Sequence, residues 1–397
     1  VSRLAVRTGL DRVVEAPGDH GLLGRRAALL GHPASVTSDF IHAADALLAS
    51  GVNLVRLFGP EHGLRGEAQY MEAVGHEVDP LTGIESVSLY GAHESDLRPT
   101  PAQLAGIDVV VVDLQDVGSR YYTYVYSALF MAEECHRAGI ECVVLDRPNP
   151  LGAAVEGGHV ERSCRSFVGW LDMPTRHGLT LAEVLRLARA AGHQLAPRIV
   201  PVEGWQRHVP FDETTAPWVL PSPNMPTVET AWVYPGMCLL EGTNISEGRG
   251  TTRPFELFGA PYIDANRLGR LLESVGLPGV RFRPCAFTPT FDKFKGERCF
   301  GLQLHVTDRS RFEALKTGAA IVWAVSRLWP DDFRWRTHAY EFVEDVPAID
   351  LLFGTPVVRG LIDAGAPFAD VAAALATPTD LARAVTAARL AAYGSDG

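Results

Sequence analysis

Apolar residues follow two rhythms through the first 150 positions. Short unbroken runs, Ala27-Ala28-Leu29-Leu30, Val52 to Phe58, Ile107 to Asp113 and Cys142 to Leu145, predict strands. Between them the spacing turns helical. Phe40, Ile41, Ala44, Leu47 and Leu48 predict a helix over 38–50 that stops at Gly51, and 123–137 predicts another closed by Gly139. Thr100-Pro101-Ala102-Gln103 and Thr180-Leu181-Ala182-Glu183 carry the paired residues of capping boxes, the second opening a helix to Ala191. Strands alternating with helices predict a parallel sheet covered on both faces. The run Val109-Val110-Val111-Val112 marks an interior strand, because a strand with one wet face would alternate.

Between 201 and 261 the texture changes to Pro, Trp, Gly and Thr with little periodicity, which predicts a long ordered connection or a site built from loops. Beyond it come a helix over 264–275, an alternating strand through Phe300, Leu302, Leu304 and Val306, a helix over 312–328, and an Ala/Leu-rich helical tail from Pro367. A boundary near Thr230 divides the chain into a domain over 1–230 and a smaller one over 231–397.

Composition narrows the partners. The 397 residues hold 36 Lys+Arg against 47 Asp+Glu, a formal net charge of −11. Such a surface disfavours phosphate backbones and anionic lipid, so neither nucleic acid nor membrane is an expected partner. No apolar run approaches the ~18–20 residues that span a bilayer. The opening Val1-Ser2-Arg3-Leu4-Ala5-Val6-Arg7 interrupts its apolar stretch with charge and does not read as a signal peptide. A cytoplasmic location is therefore expected, with secretion the alternative if a leader has been removed. Six scattered cysteines without CxxC read as buried thiols. The thirteen histidines, including His62, His76 and His93 within one segment, lack a metal-ligand rhythm. No metal or other cofactor is expected.

In open α/β sheets, ligands bind beyond the carboxyl ends of the strands. There the first strand offers His32 and Ser35, and the second offers Gly59-Pro60-Glu61-His62-Gly63-Leu64-Arg65-Gly66. The third offers Asp113-Leu114-Gln115-Asp116-Val117-Gly118-Ser119-Arg120-Tyr121-Tyr122, and the fourth Asp146-Arg147-Pro148-Asn149. Gly31-His32-Pro33-Ala34 stands where GxGxxG would be, and no GxxxxGK[ST] occurs, which excludes dinucleotide binding and P-loop chemistry. Ser222 and Ser246 lack the GxSxG setting of an acyl-transfer nucleophile.

Glu61, just past a Gly-Pro break, reads either as a general acid, which needs partial burial or a like-charged neighbour, or as a surface carboxylate accepting hydrogen bonds from the turn that follows. The stretch 240–256 gathers Glu241, Glu247 and Glu256 with Arg249 and Arg253 among glycines and small polar residues. It reads either as a grip on a polar ligand or as a turn held by Arg–Glu pairs. Carboxylates from two separate segments are what glycoside hydrolysis requires. Tyr121 and Tyr122, at a strand-to-helix turn, read equally as ligand contacts or as core, whereas Tyr124 and Tyr126 read as core.

Four ordered blocks carry a resemblance: 57–66, 113–124, 145–150 and 241–252, reading LFGPEHGLRG, DLQDVGSRYYTY, LDRPNP and EGTNISEGRGTT. Together they resemble the exo-β-N-acetylmuramidase (NamZ) family. The resemblance implies a Rossmann-like parallel-sheet α/β domain followed by an α+β C-terminal domain that completes a cleft. It implies release of N-acetylmuramic acid (MurNAc) from the non-reducing end of peptidoglycan fragments such as MurNAc-GlcNAc, and it makes Glu61 catalytic. For the second carboxylate, Glu247 is preferred to Glu241. Expected substrate contacts are His32, His62, Gln115, Asp116, Tyr121 and Tyr122, with Arg147, Asn149, Asn224, Asn244 and Thr251. Arg65, Arg120 or Arg249 would clamp the lactyl carboxylate. Two other readings use the same cleft: a non-catalytic muropeptide-binding protein, and a metal-assisted hydrolase of a modified sugar built on Asp113, Asp116 and histidines.

Overall fold

The computed structural model describes residues 3–65 and 77–394; Gly66 and His76, singled out above, lie outside the described residues. Strands β1 (Arg26–Gly31), β2 (Asn53–Gly59), β3 (Glu77–Val78), β4 (Glu85–Ser88), β5 (Val109–Asp113), β6 (Glu141–Leu145) and β7 (Arg198–Val200) form one sheet. Among the described residues its order is β3-β4-β2-β1-β5-β6-β7. All neighbours are parallel except β3, which runs antiparallel to β4.

Alternate side chains of β5 feed two cores. Val109 and Val111 join Leu29, Leu57 and Val143 under α1 (Gly9–Glu15) and α2 (Ala43–Ala49). Val110 and Val112 join the core that contains α4 (Tyr124–Ala138) and α5 (Leu181–Ala190), with the short α3 (Pro101–Leu104) nearby. That is why the run is continuous in sequence: both faces are dry. The expected capping boxes of Thr100 and Thr180 form, and Gly139 ends α4 at φ 68°.

One early helix is shorter than its periodicity predicts. Residues 38–42 form a turn in which Thr37 N bonds to Ile41 O at 2.9 Å, and α2 begins only at Ala43. His42, through Nδ1, caps the Ala44 amide, and Phe40 and Ile41 are 67% and 49% exposed rather than buried.

The segment between 201 and 261 is more regular than its composition suggests. It contains α6 (Val228–Met237), buried along nearly its whole length, and a buried helix shows no amphipathic period. After it come β8 (Leu257–Ala260), α7 (Ala265–Val275), β9 (Val280–Phe287), β10 (Cys299–Val306) and α8 (Ala314–Leu328). The three strands make an antiparallel sheet in the order β8-β10-β9. Strand β9 escapes sequence reading because Arg281, Arg283 and Pro284 lie exposed at an edge. Helices α9 (Ala348–Phe353), α10 (Val357–Asp363), α11 (Phe368–Ala373) and α12 (Thr379–Ala388) complete the chain.

Leu239, Leu302 and Ile321 of the second half share one continuous core with Val112 and Leu129 of the first. Helices α6 and α8 touch backbone to backbone at Gly236 and Gly318, where any Cβ would strike the carbonyls of Ala314 and Gly236. No helix among the described residues is long and apolar enough to cross a membrane.

Candidate active site

Strands β1 and β5 are neighbours, and the chain runs from β1 to β2 on one side and from β5 to β6 on the other. At such a switch point the following loops diverge and leave a crevice. Glu61 follows β2, and Tyr121 to Tyr124 follow β5. Behind Glu61 the chain folds back through two left-handed residues, His62 at φ 72° and Gly63 at φ 80°. Gly59 makes the fold-back possible: a Cβ there would lie 2.6 Å from Leu64 N.

Glu61 is 7% exposed. Its Oε2 accepts from Thr123 Oγ1 at 3.0 Å, and its Oε1 lies 3.8 Å from His62 Nε2. The Tyr124 hydroxyl sits 3.3 Å from Glu61 O and 2.7 Å from Pro221 O.

The facing groups come from the other half of the chain. Glu241 sits in the 3₁₀ turn Cys238–Gly242 that continues α6. Arg249 Nη2 donates to its Oε1 at 2.7 Å and the Tyr340 hydroxyl donates to its Oε2 at 2.8 Å. One cavity is lined by Glu61, His62, Tyr121, Tyr122, Thr123, Tyr124, Asn224, Glu241, Arg249, Tyr340 and Glu341, among others. It is narrow, with a volume of about 50 Å³. Burial raises the hydroxyl pKa values of Tyr121, Tyr122 and Tyr124, so all three serve as neutral hydrogen-bonding groups.

Glu247 is not on this lining. It is 1% exposed, with Oε1 3.3 Å from Arg249 Nε and Oε2 2.8 Å from Lys293 Nζ. Burial works to raise its pKa, but the charges of Lys293 and Arg249 outweigh burial and hold it low. Burial likewise works against the Arg249 charge, and the carboxylates of Glu241 and Glu247 more than offset it. Glu241 thus lines the cavity, and Glu247 stands behind it on Arg249.

Of the expected substrate contacts, the cavity brings together His62, Tyr121, Tyr122, Asn224 and Arg249. The remainder are not on its lining. His32 is fully buried; its Nε2 accepts from Gln115 N at 2.8 Å, which leaves Nδ1 to donate to Pro221 O at 3.2 Å. Burial, with the Arg147 charge, keeps that imidazole neutral. Gln115 donates to Asp116 O and Pro148 O, and Asp116 accepts from Gly118 N. Asn149 ties Leu179 O to Leu151 N, Asn244 ties Asp332 O to Arg334 N, and Thr251 donates to Gly248 O.

Among the arginines, Arg65 pairs with Asp79 at 2.9 Å and Arg120 is buried on Leu352 O. Arg147 grips Asp113 through two bonds of 2.6 and 2.7 Å, which commits the aspartate that the metal-hydrolase reading would need. Arg249 is the one lactyl candidate on the cavity lining among the described residues, and it is already shared between two glutamates.

Sequence reading missed Thr123, Ser222, Tyr340, Glu341 and Lys293. Thr123 occupies a helix N-cap position without capping the helix, its hydroxyl turned to Glu61 instead. Tyr340 and Glu341 lie far beyond the matched blocks. Glu341 and Phe342 hold left-handed φ of 46° and 67° with no glycine to announce the turn.

Two family descriptions match successive stretches of the chain. Residues 27–229 match the family described as exo-β-N-acetylmuramidase NamZ, N-terminal, and residues 232–381 match its C-terminal counterpart. The chain belongs to the NamZ family. Glu61 falls in the N-terminal NamZ match, and Glu241, Lys293 and Tyr340 fall in the C-terminal one. Among NamZ relatives, the peptidoglycan β-N-acetylmuramidase NamZ of Bacillus subtilis (strain 168) is 44% identical over 363 residues, covering 91% of this chain and 85% of its own. A solved DUF1343 family protein from Bacteroides fragilis superposes with a TM-score of 0.86 at 30% identity, covering 98% of this chain and 99% of its own. A second from the same organism gives 0.74 at 26% identity, covering 97% and 98%.

Proposed function

We propose that this chain hydrolyses the glycosidic bond of a non-reducing terminal N-acetylmuramic acid in peptidoglycan fragments, with Glu61 and Glu241 as the acting carboxylates. One observation carries the reading: two glutamates from separate halves of the chain line one narrow cavity in different surroundings. The 44% identical Bacillus subtilis relative, named for this activity, supports the substrate class. Glu61 has a hydroxyl and an imidazole beside it, and it hands a proton to the departing glycosidic oxygen. Glu241, ion-paired to Arg249 and bonded by Tyr340, offsets the positive charge that builds at the anomeric carbon. Tyr122 and Asn224 on the lining offer hydrogen bonds to the rim of an amino sugar.

The test offers purified protein MurNAc-GlcNAc and GlcNAc-MurNAc separately and identifies the sugar released. Free N-acetylmuramic acid from the first alone is the expected result. With MurNAc-GlcNAc as substrate, Glu61→Gln should lower kcat by about 10²–10⁴-fold, the range for a lost general acid. Undiminished activity in folded Glu61→Gln protein would end this assignment. Tight binding of the disaccharide without product would favour the saccharide-binding reading instead.

A further inference from the structure

We propose that Lys293, in the turn between β9 and β10, is a positioning residue for Glu241, acting through Glu247 and Arg249. The proposal rests on the reading of Glu241 as an acting carboxylate. Lys293 Nζ donates to Leu240 O at 2.8 Å, Ile245 O at 3.0 Å and Glu247 Oε2 at 2.8 Å. An ammonium has three donors, and all three are spent on the segment that carries Glu241. Leu240 is the residue immediately before it.

From Lys293 the charges alternate inward. Glu247 follows, then Arg249 at 3.3 Å, then Glu241 at 2.7 Å, with the Tyr340 hydroxyl closing the row at 2.8 Å. Two cations alternate with two anions, and each inner charge has an opposite one on both sides. Away from bulk water such pairs hold geometry tightly and tolerate the loss of one member badly.

The turn itself is shaped to deliver this side chain. Asp292 and Phe294, on either side of Lys293, hold left-handed φ of 64° and 57°. Non-glycine residues persist there only where the surroundings dictate it. Here the surroundings are the same segment: Thr290 donates through both its amide and its hydroxyl to Gly250 O, each at 2.9 Å. A Cβ on Gly250 would lie 2.7 Å from the amides of Thr290 and Phe291, so hairpin and segment fit backbone to backbone. A lysine that served only its own hairpin would bond within it, whereas every bond of Lys293 leaves it.

The alternation assigns Lys293 a specific task. Arg249 is shared by two glutamates. With Lys293 present, Glu247 has a second cation and the guanidinium stays close on Glu241. Without it, Glu247 competes harder for Arg249 and draws it off Glu241. Neutralising Glu247 as well should then return Arg249 to its place.

The experiment measures kcat and KM on a chromogenic N-acetylmuramic acid glycoside, with thermal unfolding, for full-length Lys293→Met, Glu247→Gln, the double variant and Glu241→Gln. Lys293→Met should lower kcat by about 10–100-fold with KM nearly constant, the effect of a misplaced acting group. The double variant should recover at least ~5-fold of that loss, a strong positive coupling. A lysine of purely structural value would lower the melting temperature, spare kcat per folded molecule and give an additive cycle. Either an unimpaired kcat in Lys293→Met or an additive cycle overturns the proposal. Should Lys293→Met fail to fold, Glu247→Gln carries the test: a mild loss agrees, and a loss as deep as that of Glu241→Gln overturns it. Full activity in Glu241→Gln would remove the reading of Glu241 and this proposal with it. An inactive Glu241→Gln beside an unimpaired Lys293→Met removes the positioning role alone.

Discussion

The Glu61 wall of the cleft is held by chain geometry and hydroxyls, the Glu241 wall by charge. Glu61 follows a strand buried in a parallel sheet, on a turn forced by Gly59 and two left-handed residues, and its carboxylate meets Thr123. Glu241 sits on a 3₁₀ turn, and the groups that orient it, Arg249 and Tyr340, come from separate loops, with Lys293 and Glu247 behind. A rigid sheet edge can aim a side chain with neutral partners. A loop needs ions at short range to reach the same precision, at the cost of desolvating them.

This contrast can be broken from the charged side first. Among the residues that support the two glutamates, Arg249→Met should give the largest loss, about 10²–10³-fold in kcat, because it strips Glu241 and Glu247 of a shared cation in a dry site. A loss below a few-fold would mean that charge does not organise this wall. On the other side, Thr123→Val removes one hydroxyl bond to Glu61 while keeping shape. The expected loss is about 10-fold in kcat/KM, the value of one hydrogen bond to a carboxylate. A loss equal to that of Arg249→Met would erase the distinction between the walls.

The smallest effect on turnover is expected from Asp146→Asn, which sharpens the comparison by testing the sheet's own buried carboxyl. Asp146 accepts from Thr180 Oγ1 at 2.7 Å, Tyr393 OH at 2.6 Å and Ala182 N at 3.1 Å. Burial outweighs these bonds and, with the Glu183 charge, raises its pKa from 3.8 to about 7. A carboxyl raised by folding favours the folded state most in acid, and that contribution fades as pH climbs from 3.8 through about 7. Urea midpoints measured across this window should fall less steeply for Asp146→Asn than for the wild type. Identical slopes would show that Asp146 titrates no differently in the folded and unfolded chain.

How much could be read beforehand followed the same division. The strand runs around Leu29, Val111 and Val144, the capping boxes of Thr100 and Thr180, and the stop at Gly139 all rest on neighbours in sequence, and they could be read directly. Glu61 was readable too, because its setting is a strand end and a Gly-Pro break. Helix α6 was not, since burial on every side removes the period that reveals a helix, and the apolar spacing of Phe40 and Ile41 misled because they sit in an exposed turn. The arginines were ambiguous for a plainer reason: Arg65, Arg120, Arg147 and Arg249 look alike in sequence, and only their partners separate a scaffold cation from one on the cavity wall.

What the sequence alone settled was therefore the parallel sheet, its interior strands and the edge at which Glu61 emerges, because periodicity and turn chemistry act over a few residues. What the folded chain decided was which glutamate stands opposite and what steadies it. Residues 241, 249, 293 and 340 meet through long loops, and no local preference records that meeting; electrostatic pairing acts through space and becomes visible only once the loops are closed.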